Sequence, residues 1–87
     1  MGRHDKLLLK ILRGTADASI PFDGLLALLH WLGFEQRTKG DHHIFTREGV
    51  PEILNLQPKG SVAKPYQVKQ VRKVIVTYKL ENRSDEA

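Results

Sequence analysis

Leu28-Leu29-His30-Trp31-Leu32-Gly33-Phe34-Glu35-Gln36-Arg37-Thr38-Lys39-Gly40-Asp41-His42-His43-Ile44-Phe45 decides the fold, because the hydrophobic period changes within it. Up to Gly33, Leu25, Leu28, Leu29 and Leu32 recur at helical spacing, and Leu26 and Trp31 widen the stripe. The pattern predicts a helix from Phe22 or Asp23 to Leu32, ended by Gly33. Beyond Gly33 the residues alternate with the period of a strand. Phe34 to Lys39 and His43 to Arg47 form two arms, and Gly40-Asp41 between them is a hairpin signal.

Working outward, Glu48-Gly49-Val50-Pro51 marks the next turn and Glu52 to Gln57 a third short strand. Pro58-Lys59-Gly60-Ser61 reads as a flexible exit loop. Pro65 suits the first turn of a helix, and Val68, Val71, Ile75 and Tyr78 continue it at spacings of three and four. The run Val74-Ile75-Val76-Thr77 is β-branched throughout and favours a strand locally. The helical period persists over three turns and outweighs it, leaving Lys69, Arg72, Lys73 and Val76 outside. Upstream, Leu7, Leu8, Ile11 and Leu12 predict a first helix over Asp5–Arg13, capped by Asp5 and ended by Gly14, with a linker to Pro21. The expected order is helix, helix, three strands, helix, an α+β fold. Residues 1–21 form a helix and linker, 22–80 the main domain and 81–87 a frayed polar tail.

An 87-residue chain has room for one modest core. Hydrophobic residues at 40% and charged residues at 28% are ordinary for a globular domain and argue against wholesale disorder. No apolar run reaches the ~18 residues of a membrane span, and the N-terminal residues lack the apolar centre of a secretory signal. Without cysteine, disulfides and thiolate metal sites are excluded. A soluble, cytoplasmic protein is expected. The net charge of +4 is uneven: residues 49–80 carry six bases against Glu52 alone. That excess suits a phosphate-attracting face and equally a solvated helix surface.

Four histidines are the only side chains that ordinarily titrate near neutrality. His4 lies in the terminal segment, expected to be mobile, and His30 reads as a boundary residue of its helix. His42 and His43 stand beside a glycine turn, flanked by Arg37, Lys39 and Arg47. Alternation sends adjacent strand residues to opposite faces, so one imidazole can face a groove while the other packs or meets solvent. If Phe45 points into the core, His43 goes with it and His42 is left on the other face. No metal is expected, since no ligand set stands at metal-binding spacing. No serine lies in a nucleophile-elbow context. A single positioned imidazole can still take a proton from a ribose 2′-hydroxyl, or give one to a leaving oxygen, while nearby cations stabilise the phosphorane. The plainer alternative is a turn whose histidines are merely polar.

Two stretches, Leu25 to Phe34 and Arg37 to Phe45, resemble the HicA family of toxins from bacterial toxin–antitoxin systems. That family has a helix ending in Gly-Phe or Gly-Trp, a short strand, then Gly-Ser-His-x-x-Phe opening the second strand. The resemblance extends through Asn55-Leu56-Gln57 and Lys64 to Val71, covering roughly residues 22 to 80. It implies a fold like the double-stranded RNA-binding domain, a three-stranded antiparallel sheet with flanking helices, and here an added N-terminal helix. It implies a toxin endoribonuclease (an mRNA interferase) that cuts mRNA without the ribosome and is neutralised by a HicB-type antitoxin; with no metal ligands in the sequence, activity without a cofactor or metal is expected. The family's catalytic histidine falls on His42, with Gly40 and Phe45 in register. Candidate RNA contacts are Arg37, Lys39, His43, Lys64, Lys69, Arg72 and Lys73. Two positions depart from the family: Asp41 replaces its serine, and Gln57-Pro58 stands where His-Pro is frequent. The competing expectations are a non-catalytic RNA-binding module of the same fold and a protein-interaction domain whose basic face meets an acidic partner.

Overall fold

A computed structural model describes residues 2–81, so the expected tail lies outside the described residues except for Glu81. The chain runs α1 (Arg3–Arg13), a 3₁₀ turn (Asp17–Ser19), α2 (Phe22–Trp31), β1 (Glu35–Lys39), β2 (His42–Arg47), β3 (Val50–Leu56), β4 (Pro58–Lys59), β5 (Val62–Ala63) and α3 (Pro65–Tyr78). The main sheet is antiparallel in the order β1-β2-β3, and β4 and β5 pair separately. The α+β architecture read from the periodicity is therefore the observed one: N-terminal helices, a three-stranded antiparallel sheet and a C-terminal helix packed against it. Among the described residues no helix is long and apolar enough to cross a membrane.

Register explains which side chains face the core. Gly40 and Asp41 form the two-residue loop that places Lys39 opposite His42. Gly40 has φ +63° and Asp41 lacks positive φ, the pattern of a type II′ hairpin turn, which demands glycine at its first central position. A tight loop leaves no slack for slippage, so Phe45 lies opposite Gln36 on one side and Leu54 on the other. Phe45, Leu54 and Leu56 are buried under the helices. They join Leu25, Leu28, Leu29 and Leu32 of the α2 segment with Val68, Val71, Val74 and Ile75 of α3 in one cluster.

Several boundaries differ from the sequence expectation, among them the third strand, which runs Val50–Leu56 rather than Glu52 to Gln57. The first helix begins at Arg3 rather than Asp5, and Asp5 instead uses its carboxylate to accept the Gly2 N–H at 3.2 Å. The second strand begins one residue earlier, at His42. The expected loose exit loop is part of the β4–β5 hairpin, tied down where Phe22 N–H donates to the Ser61 carbonyl and Ala63 N–H to the Ile20 carbonyl. The β-branched run 74–77 is helical, because tertiary burial of Val74 and Ile75 outweighs its local preference.

Residues 2–21 are built into the same core as the rest. Ile11 is wholly buried, and Leu7 and Leu8 pack against the cluster. Helices α1 and α2 approach closely at Gly24, where a Cβ would stand 3.2 Å from Leu7 Cδ2. His4, expected to be mobile, stacks on Trp31 with ring centroids 5.3 Å apart. At the other end of the sheet, the Tyr78 hydroxyl donates to Glu52 Oε1 at 2.6 Å. That hydrogen bond from the neutral phenol raises the Tyr78 pKa above its ordinary value.

The linker after α1 is held by Arg72. Its guanidinium reaches Asp17 Oδ1 at 2.8 Å and Oδ2 at 3.1 Å and donates to the Ile11 carbonyl at 3.1 Å. The Arg72 hydrogen bond is the main cause that lowers the Asp17 pKa from its ordinary 3.8, opposed in part by burial and aided by Lys69. A lowered folded-state value means that this contribution is fully present above the unfolded value and is lost as pH falls through the folded one. Asp17→Asn is expected to cost about 2 kcal/mol at neutral pH, the range for a hydrogen-bonded charged group. Urea melts should also show less further loss of stability below about pH 4 than in the parent chain. Identical acid limbs in the two proteins would remove this role from the pair.

Candidate functional site around His42

Alternation along β2 divides the adjacent histidines. His43 is on the helix-facing side with Phe45, its ring edge-on to Phe22 at 5.1 Å. Its Nδ1 lies 3.0 Å from Gln36 Nε2, and the other end of that amide lies 2.6 Å from His30 Nε2. His43, counted among the RNA-contacting candidates, is thus half-buried in packing on the side away from His42. His30 stays exposed at the end of its helix, as a boundary residue.

His42 is on the outer face of the sheet, its side chain 46% exposed. Lys39 is its cross-strand neighbour, and Arg37 follows one alternation further along the same face. On the other flank are Asn55 and Gln57 of β3 and its exit. His42 Nδ1 lies 3.0 Å from Asn55 Oδ1, and His42 Nε2 lies 3.2 Å from Gln57 Nε2. Gln57 Oε1 accepts from Lys64 Nζ at 3.0 Å.

These contacts favour one tautomer of His42. Lys64 has only protons to give, so it meets the oxygen end of the Gln57 amide. The nitrogen end then faces His42 Nε2, the arrangement that suits a neutral ring with its proton on Nδ1. The ring proton sits on Nδ1 and donates to Asn55 Oδ1. The network therefore holds the imidazole beside the cleft through both of its ring nitrogens. Asp41 Oδ1 is 3.9 Å from the same Nε2, close enough to pair with a protonated ring.

Gln67, buried at the start of α3, fixes this flank. It accepts the Gln57 backbone N–H at 2.9 Å and donates to the Asn55 carbonyl at 3.1 Å. One amide thereby ties the β3 exit to α3. Sequence reasoning gave Gln67, Asn55 and Gln57 no role. A signal existed for the first: Gln67 stands at the i−4 position of the Val71 stripe, where a polar residue must find partners. The partners of Asn55 and Gln57 follow only from strand pairing.

A cleft of about 230 Å³ opens where β3 meets the first turns of α3, with His42, Asn55 and Gln57 on one side and Tyr66 and Gln70 on the other. Lys64 joins it through Gln57. Lys69 and Lys73 are exposed further along α3. Arg72 departs from the expectation that it faces RNA, because Asp17 and the Ile11 carbonyl occupy it. Arg37, Lys39 and His42 are thus brought together on one face, Lys64 borders them, and His43 and Arg72 are directed elsewhere. Among the described residues no group of histidines and carboxylates is arranged to hold a metal.

Comparison with protein-family models, with curated proteins and with solved structures returned no match to this chain.

The two histidines are expected to separate by stability. His43→Ala removes the Phe22 edge contact and the Gln36 hydrogen bond and should cost about 1–2 kcal/mol. His42→Ala, at an exposed position, should stay within about 0.5 kcal/mol of the parent. Chemical denaturation of both variants checks this, and the reverse ranking would contradict the assigned faces.

Proposed function

We propose that the chain is a toxin endoribonuclease that cuts mRNA with His42 as its acid–base residue. The observation that supports this most directly is the His42 ring held through both nitrogens at an open cleft, with Lys39 as its cross-strand neighbour and Lys64 joined to it through Gln57. The resemblance of Gly40 to Phe45 to the HicA motif places the family's catalytic histidine at the same residue. It adds a HicB-type antitoxin as partner and the cytoplasm as the place of action.

The chemistry needs no cofactor. His42 Nε2 takes the proton of a ribose 2′-hydroxyl, displacing the weak Gln57 contact. The freed oxygen attacks the adjacent phosphorus, the bond from phosphorus to the 5′-oxygen breaks, and that oxygen takes up a proton from the imidazolium. The products are a 2′,3′-cyclic phosphate and a 5′-hydroxyl, and His42 returns to its starting form. Asn55 holds the ring through both transfers, and the lysines stabilise the charge on the phosphorane. Asp41, 3.9 Å from Nε2, repels the incoming phosphate.

The second reading is a non-catalytic RNA-binding module. Asp41 favours it, since a carboxylate 3.9 Å from Nε2 hinders an incoming phosphate. A cleavage assay on purified protein separates the two.

Expression of the chain alone is expected to arrest bacterial growth and deplete mRNA. His42→Ala should remain folded and bind RNA while cleaving at least on the order of a hundredfold more slowly. Cleavage should persist in EDTA, because imidazole catalysis uses no metal. An active His42→Ala protein, or activity abolished by chelation and restored by magnesium, would refute this mechanism.

Charge removal on α3 is expected to divide in the same way. Lys69→Ala and Lys73→Ala should each weaken RNA binding across sequences and reduce the salt slope by about one for every phosphate that is no longer neutralised. Arg72→Ala should instead lower the melting temperature. Unaltered salt slopes in both lysine variants would assign those charges to solvent.

A further inference from the structure

The cleft beside His42 differs from a phosphate site in its lining. Its walls carry amides, an aromatic ring and an aliphatic side chain, while the cations stand at its rim. Ile53 is 66% exposed and Tyr66 57% exposed, two of the five large apolar side chains most exposed among the described residues, and both line this cleft. They come from separate elements, β3 and α3, so the arrangement is tertiary rather than a run in the chain.

The amides divide into committed and free. Asn55 and Gln57 hold His42, and Gln67 holds the β3 exit. Gln70 is exposed and has no hydrogen-bond partner among the described residues. It stands one helical turn beyond Tyr66, so the two share a helix face. Gln67 Nε2 approaches the Tyr66 hydroxyl at 3.4 Å, a long contact at the tip of the ring that leaves its faces open.

We propose that this cleft is a subsite for one unpaired nucleobase of a single-stranded RNA, with Tyr66 as the stacking surface, Ile53 as the opposing apolar wall and Gln70 as the group that meets the base edge. The proposal rests on the RNA reading of His42. An uncharged, flat, amphipathic ligand matches a neutral lining with one ring and one free amide, whereas phosphate belongs with the lysines at the rim. A base seated there places its own ribose towards His42. Bases within a duplex are already stacked and cannot enter, so paired RNA is excluded from the subsite.

The test uses the full chain and a fully 2′-O-methylated single-stranded RNA carrying 2-aminopurine, which binds without offering a 2′-hydroxyl for cleavage. The wild-type protein is expected to bind it with quenched fluorescence, as stacking requires, and to bind the duplex form more weakly. Tyr66→Ala should lose roughly tenfold or more in affinity together with the quench, and Tyr66→Phe should keep both. Ile53→Ala, on the opposite wall, should lose affinity in the same direction by a smaller factor, which keeps the test decisive should Tyr66→Ala misfold. Gln70→Ala should narrow the difference in affinity between oligoadenylate and oligouridylate of the same chemistry. Wild-type binding that Tyr66→Ala and Ile53→Ala leave intact would overturn the subsite while leaving the RNA reading in place. Absence of wild-type binding to either single-stranded or duplex RNA would overturn both.

Discussion

Phe45 lies wholly buried on the middle strand, between Gln36 of β1 and Leu54 of β3 and beneath the helices. Because side chains alternate strictly along a strand, fixing this one ring fixes the rest of the sheet. His43 must follow it inward, and His42 with Ile44 must face out. The type II′ turn at Gly40 acts from the other side, since a two-residue loop permits only one register. Core packing and turn chemistry therefore agree, and the position of the candidate catalytic ring follows from a phenylalanine three residues away. A shift by one residue would bury His42 and expose Phe45, at a cost set by burying a polar ring and exposing a large apolar one.

A second constraint holds the flank of the site. Gln67 is the only buried polar side chain among the described residues, and it satisfies a backbone donor and a backbone acceptor on the departing β3 segment. Leaving such groups unpaired costs about 1–3 kcal/mol each. The amide thus locks β3 to the first turn of α3, and the cleft walls inherit that rigidity. Arg72 does the same for the linker behind α1, which commits one of the α3 cations to an internal contact.

The resulting site is unusual in its electrical composition. A histidine is oriented by two neutral amides, one of which is itself oriented by a lysine. Both ring nitrogens are thus engaged by uncharged side chains, which fix the orientation of the ring. Among the described residues Asp41 is the carboxylate paired with the ring, and it is exposed and at a longer distance. The chain therefore combines an accommodating cradle with a local anionic obstacle.

Much of the fold was legible along the chain. The leucine stripe before Gly33, the alternation after it and the glycine turn determined the helix, the hairpin and which histidine faces away from Phe45, because those patterns are periodic and local. The helix over 65–78 was legible for the same reason, although its β-branched stretch spoke against it. What the chain could not reveal depends on contacts between residues far apart. Arg72 looked like any solvated helix cation until Asp17, 55 positions away, claimed it. Gln57 and Asn55 became partners of His42, and Tyr66 a wall beside it, only when β3 paired with β2 and α3 docked against the β3 edge. Periodicity encodes which face of an element is apolar, and that is enough to place each element. Which polar groups meet across elements is fixed by register and docking, and a single polar residue carries no period from which either could be read.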